Sequence, residues 1–313
     1  FLMIRLPPRS TLSSSSAASD VYKRQPSVSV VIPTHNRAGM LTEAIQSVLD
    51  QSLPADEILV VDINSTDETR SVLEAFKDVV TPLSVEKNGP SPARNRGIAA
   101  ARGEYVAFLD DDDLWHPEKL RIQMAFLEAN REVAMASADT VRLGEDIREI
   151  RPDRSYWIQG DLFPRLFMKS YVSTPTVIVR RDVFEAVGVF NESYLRVEDY
   201  DLWLRIAAAR PTAHFQHPLA WVRKSPSRMS DDKIDLRRTA KKVLMEHYDP
   251  DRIPRRRLSR RMSDLELYCG REYLKLGDRD MAGRCFRAAV DWTPFRPRPY
   301  RYLLTGMFRG RSS

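Results

Sequence analysis

Cysteine is scarce in this chain. Only Cys269 and Cys285 occur in 313 residues, which argues against a disulfide framework or a cysteine zinc site and fits a reducing, cytoplasmic setting. Long apolar runs are also missing, since no stretch reaches the ~18 uninterrupted apolar residues of a membrane-spanning helix. Histidine is thin, and His214-x-x-His217 lacks the i, i+4 helical spacing of a zinc pair, so both read as structural or loop histidines. No aromatic-interleaved basic stripe is present, and nucleic acid is not an expected partner. What remains, 42% hydrophobic and 29% charged residues, is the composition of a globular chain with room for one ordinary domain and a smaller one.

The net charge of +6 is uneven. Residues 251–313 hold 16 Arg/Lys against 7 Asp/Glu, a surplus of +9, which leaves −3 on residues 1–250. A basic helical surface of this kind is either simply solvated or makes peripheral contact with anionic lipid on the inner face of a membrane. At the other end, the Ser/Ala-rich tract Thr11 to Ser19 has no periodicity. Residues 1–25 are expected to be a disordered leader outside the native domain.

From Val28 a regular alternation begins. Val28-Ser29-Val30-Val31-Ile32 is a β-branched strand, and Leu41, Ala44, Ile45, Val48 and Leu49 recur at helical spacing. Glu57 to Val61 predicts a second strand, and Ser65-Thr66-Asp67-Glu68 offers caps for a helix through Lys77. A short strand near Leu83 to Val85, a helix from Ser91 to Ala101 and the strand Tyr105 to Leu109 complete the rhythm. It predicts an α/β fold, a mostly parallel sheet flanked by helices. Beyond it, a helix over Pro117 to Asn130, strands over Val133 to Leu143, Thr176 to Val179 and Leu219 to Arg223, and a helix over Asp199 to Ala209 are expected. Asp146 to Ser170 reads as an irregular loop with a short helix. Everything after Ser230 reads helical, with a helix–turn–helix hairpin through Gly277-Asp278. The expected organisation is therefore the leader, a domain over 26–229 and a basic helical extension over 230–313.

Four consecutive aspartates, Asp110 to Asp113, follow the last strand of that rhythm. Adjacent carboxylates repel one another, and a divalent cation such as Mg²⁺ or Mn²⁺ would relieve the repulsion and recruit phosphate. An acidic run is more often a solvated turn. This one lies beyond the carboxyl end of a strand, where ligands bind in open α/β sheets.

Val28-Ser29-Val30-Val31-Ile32-Pro33-Thr34-His35-Asn36-Arg37 and Glu57-Ile58-Leu59-Val60-Val61-Asp62 resemble the opening of the family 2 glycosyltransferases. The resemblance continues through Ala93-Arg94-Asn95-Arg96-Gly97-Ile98, Gly103 to Asp110, Gly188-Val189-Phe190-Asn191 and Glu198-Asp199-Tyr200-Asp201-Leu202-Trp203. It covers roughly residues 27 to 225, in order. It implies the A-type, nucleotide-sugar-binding fold and sugar transfer with inversion. The donor would be a nucleotide-diphosphate sugar, UDP-sugar foremost, and the acceptor a glycan or lipid-linked hydroxyl in surface polysaccharide synthesis.

The resemblance also implies roles. Asp112 would ligate Mg²⁺ or Mn²⁺, with Asp110 and Asp111 near the ribose and the metal's waters, while Asp113 would cap the next helix. Asp199 would be the general base, although an Asp at a helix start is commonly a cap. Pro33, Thr34, His35 and Asn36 would form the base and ribose pocket. Arg94 would reach a phosphate or the base, or else form a salt bridge to one of the aspartates. Arg223 and Arg228 would close over the diphosphate. The family usually shows Asp-Asp-Gly-Ser after the second strand where this chain has Asp62-Ile63-Asn64-Ser65. The side chain of Ile63 cannot accept a hydrogen bond. Either Asp62 or Asn64 takes over, or base recognition is loosened, or the base is not uracil. Two other readings stand beside this one. A nucleotidyltransferase would use similar aspartate–metal logic, but no Gly-rich phosphate loop opens the first helix, where Asn36-Arg37-Ala38-Gly39 stands. A non-catalytic module would be dominated by the basic C-terminal helices.

Overall fold

Residues 27–87, 89–144, 157–223 and 233–308 are described by the computed structural model. The leader expected over 1–25, and Arg228, lie outside them. The strand Val28–Thr34 (β1) is buried along its whole length because it has parallel neighbours on both sides, Glu57–Asp62 (β2) and Tyr105–Phe108 (β4). That position explains its unbroken β-branched run. Its alternate residues feed two cores. Val30 and Ile32 meet Leu41, Ala44, Ile45 and Val48 of the helix Ala38–Leu49 (α1). Val31 faces the helix Pro90–Ala100 (α3), which lies on the opposite side of the sheet. There Gly97 is obligatory, since a Cβ on it would fall 2.3 Å from a Val31 methyl.

The edge of this half is the strand Thr81–Ser84 (β3), paired in parallel with β2. Between β2 and β3 the helix Thr69–Ala75 (α2) is shorter than its sequence suggested. Asp67 accepts from the Thr69 amide at 3.0 Å, so the turn before the helix absorbs the cap residues.

Beyond β4 the direction changes. The strand Ile178–Arg180 (β8) lies antiparallel between β4 and Met135–Arg142 (β6), and β6 runs parallel to the long strand Thr212–Val222 (β9). The two-residue strand Leu114–Trp115 (β5) and Trp157–Gly160 (β7) pair with opposite ends of β9. Strand order is β3-β2-β1-β4-β8-β6-β9-β5. The expected α/β sheet with helices on its faces is present, its parallel run lying over β3 to β4. Thr176, expected to begin a strand, instead closes the single 3₁₀ turn Thr174–Thr176, and the strand starts two residues later. The helix after the aspartates, Lys119–Ala129 (α4), begins later than expected because β5 intervenes, so Asp113 does not cap it.

The remaining helices are Phe163–Met168 (α5), Arg181–Val187 (α6), Glu198–Ala209 (α7), Lys233–Glu246 (α8), Arg255–Lys275 (α9), Arg279–Trp292 (α10) and Pro297–Phe308 (α11). The hairpin of α9 and α10 turns at Gly277, in the left-handed region at φ 81°, and Asp278 caps α10 through the Met281 amide at 2.9 Å. Val243, Leu244, Ile253, Leu258, Met262 and Leu265 belong to the same core cluster as Val31, Phe108 and Trp203. The early C-terminal helices therefore pack into the sheet domain's own core.

Candidate active site

The carboxyl ends of β1, β2 and β4 converge on one cradle. After β1, Asn36 adopts φ 52°, a left-handed conformation that asparagine tolerates. This turns its amide toward the Ser65 hydroxyl at 2.9 Å and its side-chain carbonyl toward the Thr66 amide at 2.7 Å. The β1 and β2 loops are thereby tied together. His35 Nδ1 lies 2.6 Å from the Ile63 carbonyl, which can only accept, so Nδ1 carries the proton. Pro33 is buried opposite Val61 in the β1–β2 register. Asp62 accepts from the Ser65 amide at 3.2 Å, and exposed Asn64 donates to the Glu86 carbonyl at 3.2 Å. Ile63 is only 7% exposed and packs with Val31, Leu59 and Ala93. Its departure from the family pattern is thus a core contact, and Asp62 and Asn64 flank it at the loop.

Each of the four aspartates has a partner. Asp110 binds Arg94 at 2.7 Å. Asp111 accepts from the Thr34 hydroxyl and from Arg37, both at 2.8 Å, and burial raises its pKa. Asp112 reaches Arg37 at 3.1 Å. Asp113 accepts the Arg223 backbone amide at 3.0 Å, while the Arg223 side chain donates to the Asp112 carbonyl and to Glu43. Arg37 is a contributor that no pattern in the sequence singled out.

The first turn of α7 brings a second pair of carboxylates. Val197, before it, sits at φ 58°, a strained conformation for a β-branched residue and one that marks functional turns. Asp199 accepts the Tyr200 amide at 2.7 Å and the Thr174 hydroxyl at 3.2 Å, and burial raises its pKa. Glu198 is pushed up to about 7 by burial and by the neighbouring Asp199 charge. Asp201 faces away, bound to Arg205 and His247 at 2.7 Å each. Arg94 joins the two acidic groups. It is 5% exposed, donates to Asp110 at 2.7 Å and Glu198 at 3.0 Å, and lies over the Phe190 ring. Of the two roles weighed for Arg94, this geometry holds the salt bridge.

Behind the carboxylates the 3₁₀ turn carrying Thr174 is fastened to the segment after the aspartates. The Trp115 indole N–H donates to the Pro175 carbonyl at 2.6 Å, and Gln123 donates to the Thr176 carbonyl at 2.9 Å. Lys119, 0% exposed, places Nζ 4.1 Å from the Trp115 ring centre without a hydrogen-bond partner among the described residues. Burial alone drives its pKa well down. Thr174, Trp115 and Lys119 lie outside the motifs and carried no sequence signal of their own.

Among the described residues, six carboxylates, Asp110 to Asp113, Glu198 and Asp199, thus share this end of the sheet with three guanidinium groups, those of Arg37, Arg94 and Arg223. The excess of negative charge favours a cation. Among the described residues no three His, Cys, Asp or Glu side chains form a cage for one. That donor set suits Mg²⁺ or Mn²⁺ held by one carboxylate, waters and a ligand's phosphates. His214 is bound by Ser137 and Asp139, in keeping with a structural histidine.

Residues 29–188 match the family described as Glycosyl transferase family 2. An uncharacterized glycosyltransferase of Rickettsia felis is 35% identical over 200 residues, which cover 63% of this chain and 33% of the relative. The putative teichuronic acid biosynthesis glycosyltransferase TuaG of Bacillus subtilis is 40% identical over 107 residues, covering 33% of this chain and 42% of its own. The chain therefore spans a third to two fifths of these curated relatives. In overall fold it is similar to S. aureus TarS 1–349 in complex with UDP-GlcNAc, at a TM-score of 0.64 and 18% identity, with 90% of this chain and 89% of that one covered.

Proposed function

Because the chain belongs to glycosyl transferase family 2, we propose that it moves a sugar from a nucleotide-diphosphate donor, UDP-sugar foremost, to a hydroxyl of a glycan or lipid-linked acceptor, with inversion. The similarity to a teichuronic acid biosynthesis enzyme favours a surface polysaccharide as product. The observation that carries this reading is the Arg94 bridge, which holds the acidic run after β4 and the buried carboxylates of α7 around one site.

In the reaction the acceptor oxygen attacks the anomeric carbon and its proton passes to Asp199. The bond to the nucleoside diphosphate breaks, and the diphosphate leaves with the electron pair. Thr174 and the Tyr200 amide orient Asp199, and burial brings its pKa closer to that of a working base. Pro33, Thr34, His35, Asn36, Asp62 and Asn64 would line the base and ribose, with Asp110 and Asp111 beside the ribose. Asp112 would hold Mg²⁺ or Mn²⁺ together with the donor's diphosphate, where a cation supplies charge neutralisation to the leaving group. Arg94 sets the positions of Asp110 and Glu198. The basic C-terminal helices suit peripheral contact with the anionic inner face of a membrane. No helix among the described residues is long and apolar enough to cross one.

The test is Asp199→Asn with UDP-sugars. Transfer should fall roughly 10²–10⁴-fold while donor affinity is kept, and wild-type product should show inverted configuration by NMR. Undiminished transfer in the variant, or retained configuration, would overturn the assignment.

A further inference from the structure

A cleft of about 570 Å³ lies among other side chains, and its lining includes Asp139, Arg165, Lys169, Tyr171, His214 and Arg257. Two connections tie it to Asp199. Tyr171 stands three residues before Thr174, which donates to Asp199. α5, which supplies Arg165, is anchored by the Tyr200 hydroxyl to the Leu166 and Phe167 carbonyls at 2.9 and 3.1 Å, and Tyr200 follows Asp199 directly.

Among the described residues the charges in this cleft are unbalanced in one direction. Asp161, on its rim, is paired with Arg252, and Asp139 meets His214 at 3.1 Å. Arg165, Lys169 and Arg257 are exposed and form no ion pair among the described residues, Arg165 lying 5.5 Å from the centre of the Tyr171 ring. Exposed cations on a convex surface are ordinarily just solvated. Here three converge on a concavity of ligand size, beside a half-buried tyrosine and a buried histidine.

We propose that this cleft is the acceptor subsite and takes a sugar bearing an anionic group, a phosphate or a carboxylate. The proposal deepens the glycosyltransferase reading and rests on it. Guanidinium groups bind either anion bidentately, and the half-buried Tyr171 ring gives a pyranose an amphipathic surface to pack on. Arg257 comes from α9, so the C-terminal helices help to build the site.

Binding of glucose, glucose 1-phosphate and glucuronic acid to the full chain, measured by ligand-observed NMR with UDP at saturation, tests this. At least one anionic sugar should bind about tenfold more tightly than glucose, the worth of one charge-assisted hydrogen bond. A gain confined to glucose 1-phosphate identifies phosphate, and a gain confined to glucuronic acid identifies carboxylate. Arg165→Gln and Arg257→Gln should each remove most of the gain and leave UDP affinity unchanged. Equal binding of all three sugars, or an anionic preference that survives both substitutions, would overturn the proposal. If the wild type binds no UDP, the donor reading fails separately. The same sugar comparison without nucleotide, in wild type and both variants, then still decides the cleft.

Discussion

Lys119 shows how one side chain can set a property of the whole chain. Its amine is enclosed by protein, faces the Trp115 ring and has no acceptor among the described residues. Burial holds its pKa well below 10.5. Between the two pKa values the unfolded state binds the extra proton, and stability therefore rises with pH across that window and stops rising above about 10.5. Lys119→Met, apolar and similar in length, should be more stable than wild type at neutral pH and should lose that part of the rise. Urea midpoints from pH 6 to 10 measure it, and parallel curves for the two proteins would contradict the lowered pKa. Glu198 and Asp199 are the opposite case. They are carboxylates with raised pKa values, and they depend on Arg94 to remain beside Asp110.

At the scale of the element, the 3₁₀ turn Thr174–Thr176 is what connects the segment after the acidic run to Asp199, the proposed base. Trp115→Phe keeps the packed ring but removes the N–H held by the Pro175 carbonyl. A buried carbonyl left unpaired costs about 1–3 kcal/mol. The loosened turn should also lower kcat by about tenfold through Thr174, with donor KM unchanged. Thermal melts and steady-state kinetics check both effects, and an unchanged kcat would detach the turn from catalysis. Around this turn the sequence is less readable than elsewhere. β1, β2, β4, α1 and α3 were visible because burial on one or both faces imposes a period on their residues. β5 has two residues, too few to carry a period, and while the strand at β8 was legible, its antiparallel reversal is a long-range pairing that no local pattern encodes. In the site, Asp112 and Asp199 were legible as parts of motifs. Thr174 was not, and Arg37, though it ends the first motif, carried no role there, because such a residue gains its partner only through the fold. Ile63 was legible as a departure, but its reason, a place in the core, needed the third dimension.

For the whole molecule, the C-terminal helices are part of the structure's stability. Leu258, Met262 and Leu265 of α9 are fully or almost fully buried in the main core. At about 1.5–3 kcal/mol for each buried side chain, their removal costs as much as a typical domain's total stability of about 5–15 kcal/mol. A chain ending at residue 254 should therefore lack a cooperative thermal transition by circular dichroism, and a sharp transition near the wild-type temperature would show that the sheet domain stands alone. The Arg94 bridge has a further consequence, for the order of synthesis. Arg94 and Asp110 leave the ribosome close together, but Glu198 follows more than a hundred residues after Arg94, and Leu258 and Met262 later still. While β1 to β4 wait for α7, the four adjacent aspartates have Arg37 and Arg94 as their nearby cations, and the apolar underside of β4 lacks Phe190 and Trp203 to cover it. The nascent chain thus passes through a long interval in which the N-terminal half is made but cannot close. Asp199, the proposed base, joins the site only after most of the sheet has been synthesised.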